Sequence, residues 1–240
     1  NSKVVNITVE ERPTGEISLG AGVGTAGSTI GGGIKERNFL GKGINLDTNL
    51  EISEESLKGR FVYSKPNFNY TDNTLFTSVN TSTTDNLTNF GYKTSDIGLS
   101  VGTSFEQKEN LFFSPELALS FEDLETNSTA STNLKKQEGS YDDFYFNYGL
   151  AYDIRDSGYR PSSGNKTTFY QNFPIVSDNS ELTNTFIFTQ YKELNDTSNM
   201  VGKASFYFKS VHSLNDSDVR ISKRAQVPYN RLRGFQRGKI

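Results

Sequence analysis

The strongest constraint on this chain is a hydropathy period of two that runs almost from end to end. In "DIGLSVGTSF", Ile97, Leu99, Val101, Thr103 and Phe105 share one face, and Asp96, Gly98, Ser100, Gly102 and Ser104 share the other. "FYFNYGLAYDI" sets Phe144, Phe146, Tyr148, Leu150, Tyr152 and Ile154 against Tyr145, Asn147, Gly149, Ala151 and Asp153. Successive side chains of an extended strand point to opposite faces, so this alternation is a strand pattern. It predicts about eleven strands, near 15–23, 28–36, 43–52, 57–65, 74–82, 94–105, 111–121, 141–154, 165–176, 181–191 and 200–212, with no competing helical stretch. The fold class is therefore all-β.

Alternation alone does not separate a soluble sandwich from a membrane barrel, but three features favour an antiparallel transmembrane β-barrel. Most segments have about the 9–11 residues that a tilted strand needs to cross a bilayer. The faces opposite the apolar ones carry Gly, Ser, Thr and Asn, which suit a wet lumen and would leave a sandwich core unfilled. Connector lengths also sort by parity. The long ones, near 83–93, 122–140 and from 213 onward, follow odd-numbered segments, whereas 37–42, 106–110 and 155–164 follow even-numbered ones and stay short. A barrel has short turns on one rim and longer loops on the other. No uninterrupted apolar run exceeds three residues, which excludes a transmembrane helix. The 18 Phe and 12 Tyr instead supply apolar strand faces.

Composition removes several chemistries. With 25 basic and 28 acidic residues the net charge is −3, so no nucleic-acid partner is expected, despite the cations of the terminal "NRLRGFQRGKI". Without cysteine there is neither a disulfide framework nor a thiolate metal site. The stretch "GVGTAG", Gly22 to Gly27, fits a dinucleotide fingerprint, but that motif works by opening a helix, and here a second Gly-rich alternating segment follows. It reads as a hairpin turn. The acidic pairs Glu10-Glu11, Glu54-Glu55 and Asp142-Asp143 are sequence neighbours, which point apart on a strand and cannot flank one sugar. His212 stands alone, with no nucleophile motif near it. No enzyme, cofactor or metal is expected.

Two turns are more specific. "NFLGKG" (Asn38, Phe39, Leu40, Gly41, Lys42, Gly43) joins two strands through a Phe-Leu pair that reads as buried and two glycines. "DIRDSGYRPSSG" ends a strand at Asp153, Arg155 and Asp156, then turns through Pro161 and Gly164. Pro pre-sets φ and Gly supplies positive φ, so both are turn chemistry. These two turns, followed in order by "LRGF" (Leu232, Arg233, Gly234, Phe235), make the chain similar to the BamA family, the assembly factors of Gram-negative outer membranes.

The resemblance implies that residues 1–13 end a last POTRA domain and that 14–240 are the N-terminal part of an outer-membrane barrel. The barrel would then be incomplete, with about eleven of an implied sixteen strands, preceded by a remnant POTRA strand and ending within extracellular loop six. Both ends read as cuts in a longer chain. The two turns become periplasmic turns, and Leu232–Phe235 becomes the loop-six motif, whose Arg233 pairs with carboxylates on strands beyond residue 240. Residues 213–240 should then be irregular and mobile, or rest loosely in the open lumen.

The implied function is insertion of β-barrel proteins into the bacterial outer membrane through a lateral gate. The gate strand would hold Gly15, Ile17, Leu19, Gly20, Ala21, Gly22, Val23 and Gly24, weakened by its glycines. On the bland alternative, those glycines merely fit a crowded wall. The implied partners are unfolded outer-membrane protein precursors, the machine's lipoproteins and outer-membrane lipid. A sister two-partner secretion or translocation-and-assembly transporter shares the plan. A passive porin and a soluble carbohydrate-binding sandwich stay open as rivals of other classes.

Overall fold

The structure, a computed structural model, describes residues 10, 12–24, 27–195 and 200–227. Eleven strands follow in chain order: β1 (Gly15–Gly24), β2 (Gly27–Phe39), β3 (Ile44–Ser53), β4 (Ser56–Lys65), β5 (Thr74–Asn86), β6 (Tyr92–Lys108), β7 (Leu111–Thr126), β8 (Gly139–Asp153), β9 (Gly164–Val176), β10 (Glu181–Glu193) and β11 (Val201–Ser213). They form one sheet in which each strand pairs antiparallel with its sequence neighbour. β1 and β11 are its edges, as the resemblance to an incomplete barrel implies. The remaining regular structure is slight: α1 (Leu87–Phe90), α2 (Thr132–Lys135) and a 3-10 turn at Phe68–Tyr70.

A single layer leaves no place for a conventional core. Among the described residues the buried apolar side chains are Ile44, Tyr92, Leu124, Ala130 and Tyr145, far too few for a packed sandwich. Ile97, Leu99 and Val101 of β6 and Leu117 and Leu119 of β7 are all exposed, as their lipid-facing positions require. The opposite face is knitted by small polar groups: Ser78 lies 2.7 Å from Ser100, Ser114 donates to Ser104 at 2.8 Å, and Asn172 donates to Asn147 at 2.8 Å. Apolar outside and hydrogen-bonded inside is the arrangement of a barrel wall. The soluble sandwich is excluded by this burial pattern.

The strands are longer than hydropathy predicts on one side of the sheet. β5 continues to Asn86 and β6 begins at Tyr92, so the expected long connector near 83–93 shrinks to residues 87–91. β7 likewise runs to Thr126 and β8 starts at Gly139. The extra height on that rim is thus strand more than loop. The reason lies in "TSTTDN" (81–86) and "EDLET" (122–126): above the apolar band the outward positions are polar too, and Leu124 is buried on the inward side, so the hydropathy period fades while the backbone ladder continues. β6, with 17 residues, is about 56 Å long at ~3.3 Å per residue, well beyond a bilayer's apolar thickness even when tilted. Its rim is tied off by Asn127, which donates from its backbone to Gly91 O (3.0 Å) and from its side chain to Leu87 O (2.7 Å).

Candidate functional site

β1 is paired on one side only. Its ladder to β2 runs from Gly15↔Glu36 to Gly24↔Gly27, and its other row of N–H and C=O groups meets no strand among the described residues. Ile17, Leu19 and Val23 are 75%, 87% and 87% exposed, and Ala21 is exposed beside them. Gly20 and Gly22 fall on the opposite face, and a Cβ built on either would meet no atom within 4 Å. These glycines are not there to relieve crowding. Crowding lies instead on β2, where a Cβ at Gly32 would come within 2.9 Å of Leu19. Gly24↔Gly27 closes the hairpin, and the "GVGTAG" stretch therefore leads into β2 and opens no helix.

The two turns hold by local chemistry. In 38–43, Gly41 N–H donates to Asn38 O (2.9 Å) and Gly43 N–H to the Asn38 side chain (2.7 Å). Leu40, Gly41 and Gly43 all adopt positive φ. Phe39 and Leu40 are exposed, which corrects the expectation that this pair is buried. A one-layer wall offers nothing beneath its rim to bury them. In 153–164, Arg155 forks onto Asp153, Nε to Oδ1 at 2.8 Å and Nη2 to Oδ2 at 2.7 Å, while Lys166 Nζ stands 3.4 Å from the same carboxylate. Asp156 accepts from the backbone N–H of Ser162 (3.0 Å) and Ser163 (3.1 Å), with Ser162 Oγ at 2.6 Å. The Ser162 hydroxyl, then those amides, holds the Asp156 carboxyl below its ordinary value. The turn follows Pro161, and Gly164 (φ 86°) closes it where a Cβ would collide with Ile154 O.

The most buried polar site was not foreseen. Arg220, on the segment after β11, has 0% exposure. Its Nη2 lies 2.6 Å from Asp143 of β8 and 2.9 Å from Glu181 of β10, and its Nη1 lies 3.5 Å from Glu122 of β7. Its backbone N–H also donates to Glu181 at 3.0 Å. Tyr141 stacks against the guanidinium at 4.5 Å, and Ser177 and Tyr145 hydrogen-bond Asp143 at 2.6 and 3.0 Å. Glu122, 1% exposed, is approached by Lys223 Nζ at 3.2 Å as well, yet neither of its oxygens makes a hydrogen bond. A fully desolvated charge cluster of this kind holds only while its partners are all present.

This alters the expectation for 213–240. The described part, 214–227, is irregular as expected, but it is pinned to the wall and does not rest loosely. Leu232, Arg233, Gly234 and Phe235 lie outside the described residues, as do residues 1–9 and 11 of the expected POTRA remnant. Three inward-facing acids near one rim, contributed by three different strands, are the sequence signal that could have pointed to a buried cation. Among the described residues no His and carboxylate group is disposed to hold a metal.

Residues 38–240 match the Omp85 superfamily domain. The crystal structure of BamA from Haemophilus ducreyi lacking POTRA domains 1–3 is similar with a TM-score of 0.81 at 23% sequence identity, over 96% of this chain and 47% of that one. The fold is thus that of a BamA barrel, and the chain spans about half the length of that protein.

Proposed function

The chain belongs to the Omp85 superfamily, and we propose on that footing that it forms the leading wall of an outer-membrane barrel that folds and inserts other β-barrel proteins. The observation that carries the proposal is β1: a strand whose outward face is apolar and whose inward face carries two glycines with open space around them. An exposed row of backbone donors and acceptors templates an incoming strand, and the main-chain ladder is indifferent to the substrate's side chains. Gly20 and Gly22 lower the ordering tendency of β1, so its pairing with a closing strand is weak and reversible. That is the lateral gate. It consumes no nucleotide and needs no cofactor, because the ladder formed in the substrate supplies the driving force.

The substrates are unfolded outer-membrane protein precursors, with lipoproteins of the machine and outer-membrane lipid as further partners. The turns at 38–43 and 153–164 face the periplasm, and the long ends of β5–β8 face outward. A lumen occupied by residues 214–227 favours this reading over a passive porin. The test uses the full-length protein in proteoliposomes with an unfolded barrel substrate and photo-crosslinkers placed singly at Ile17 and at Phe121. Substrate should fold, and should crosslink at Ile17 but not at Phe121 in the middle of the wall. Failure of the substrate to fold refutes assembly activity; folding with equal capture at both sites refutes the gate at β1.

A further inference from the structure

We propose that Arg220 is a latch that fixes the arm 214–227 to the inner wall of the barrel independently of any strand beyond residue 227. The orientation of the latch rests on the outer-membrane reading above; its geometry does not.

Arg220 spans four strands of wall, from Glu122 on β7 through Asp143 on β8 to Glu181 on β10, so one side chain reaches well into the wall's curvature. Glu181 accepts from three donors of Arg220, the backbone N–H at 3.0 Å, Nε at 3.2 Å and Nη2 at 2.9 Å. The neighbouring contacts stitch the arm at further points. Ile221 N–H donates to the Gln137 side chain at 2.9 Å, Leu214 N–H to Ser180 O at 2.7 Å, and Asn215 Nδ2 to Asp178 O at 3.2 Å. Lys223 N–H and Arg224 N–H both donate to Arg220 O, at 3.0 and 3.1 Å, so the chain turns around the arginine.

The pairing is obligate on both sides. Asp143 and Glu181 are 0% and 2% exposed, and among the described residues the other cation paired with this group of acids is Lys223, which sits on Glu122. Withdrawing the arm would leave three neighbouring carboxylates without the cation they share, so the cluster resists opening. The guanidinium is suited to the place because its planar fork serves two carboxylates at once while its face stacks on Tyr141, neither of which an ammonium can reproduce. The sequence following residue 227 therefore starts from a fixed point inside the barrel.

The experiment uses full-length protein in sealed outer-membrane vesicles with their outer surface exposed to trypsin, which can cut after Lys223 and Arg224 in an arm that has been released. Wild-type protein should resist. Arg220→Ala and Arg220→Lys should be cleaved at least about 10-fold faster, since cleavage follows the population of the open arm. Because Arg220→Ala also strands buried acids and could weaken the wall itself, a second variant adds Asp143→Asn and Glu181→Gln. In that triple variant the resistance of the folded barrel to heating in detergent should recover while fast cleavage persists. Wild-type cleavage as fast as Arg220→Ala overturns the latch, and so does regained protection in the triple variant. Absence of a heat-resistant barrel from the outer membrane would refute the outer-membrane reading instead, and the same cleavage comparison in detergent would still decide the latch.

Discussion

Filling the two open glycine positions of β1 tests whether a weak strand is what the edge is for. Gly20 pairs with Gly31 and Gly22 with Thr29, and a Cβ at either position meets nothing within 4 Å, so Gly20→Val with Gly22→Val finds room on that face. Each replacement removes a glycine that disfavours an ordered strand by roughly 0.5–1 kcal/mol, on a β-propensity range of about 1 kcal/mol. Valine at position 22 also gains a cross-strand contact with Thr29. Together they favour ordered, paired β1 by about 1–2 kcal/mol, which lowers an open population about 5- to 30-fold. The assay is the initial rate of substrate folding by the full-length protein in proteoliposomes, beside the temperature at which its own barrel opens in detergent. The expected pair of results is a slower rate with a higher opening temperature. An unchanged or faster rate in a barrel that is measurably more heat-resistant would refute the argument that looseness of β1 sets the rate.

Gly164→Ala should destabilise the barrel by about 1–3 kcal/mol, read as a lower urea midpoint, because it forces a positive φ on a residue whose Cβ collides with Ile154 O. Asp156 carries a pH dependence whose sign follows from its lowered folded pKa: its contribution is present above its ordinary value of 3.8 and is lost as pH falls through the folded value. Acid-unfolding curves of wild type and Asp156→Asn should therefore be fully separated above the ordinary value of 3.8 and converge as pH falls through the lower folded value; parallel curves would remove Asp156 from the account. In the full-length protein Arg233→Ala should impair barrel assembly, scored by the fraction of heat-resistant monomer, whereas Arg237→Ala should not. Equal effects would make the "LRGF" match accidental.

The strands were legible because a one-layer wall between lipid and water imposes opposite demands on alternate residues, and Ile97 through Phe105 display both. The extensions of β5–β8 were not, since "TSTTDN" meets water on both faces and backbone pairing leaves no mark on hydropathy there. Turn chemistry was legible at Gly164, where only glycine tolerates the geometry. The burial state of Phe39 and Leu40 was misread because apolar residues at a barrel rim face outward where a globular protein would bury them. Arg220 sits in "SDVRISKR", one cation among several, and its partners are 39 and 77 residues away. No local pattern encodes such a match. The edge character of β1 was legible only through the resemblance, and its spare room is a property of the fold.

Every ladder in this sheet joins neighbours in sequence, so the wall is a chain of hairpins, each closed over a short loop. The entropy of closing such loops is small and grows slowly with length, and chains rich in local pairing order quickly. Arg220 breaks that rule. Its carboxylates belong to strands laid down long before it, so the cluster cannot form until β7, β8 and β10 already stand side by side in the correct register. A slip of one residue in β8 would turn Asp143 to the lipid and leave the guanidinium unmatched. The arginine thus acts as an inspector of the wall's assembly: hairpins form fast and unsupervised, and a single late ionic closure accepts only the sheet that was built in frame.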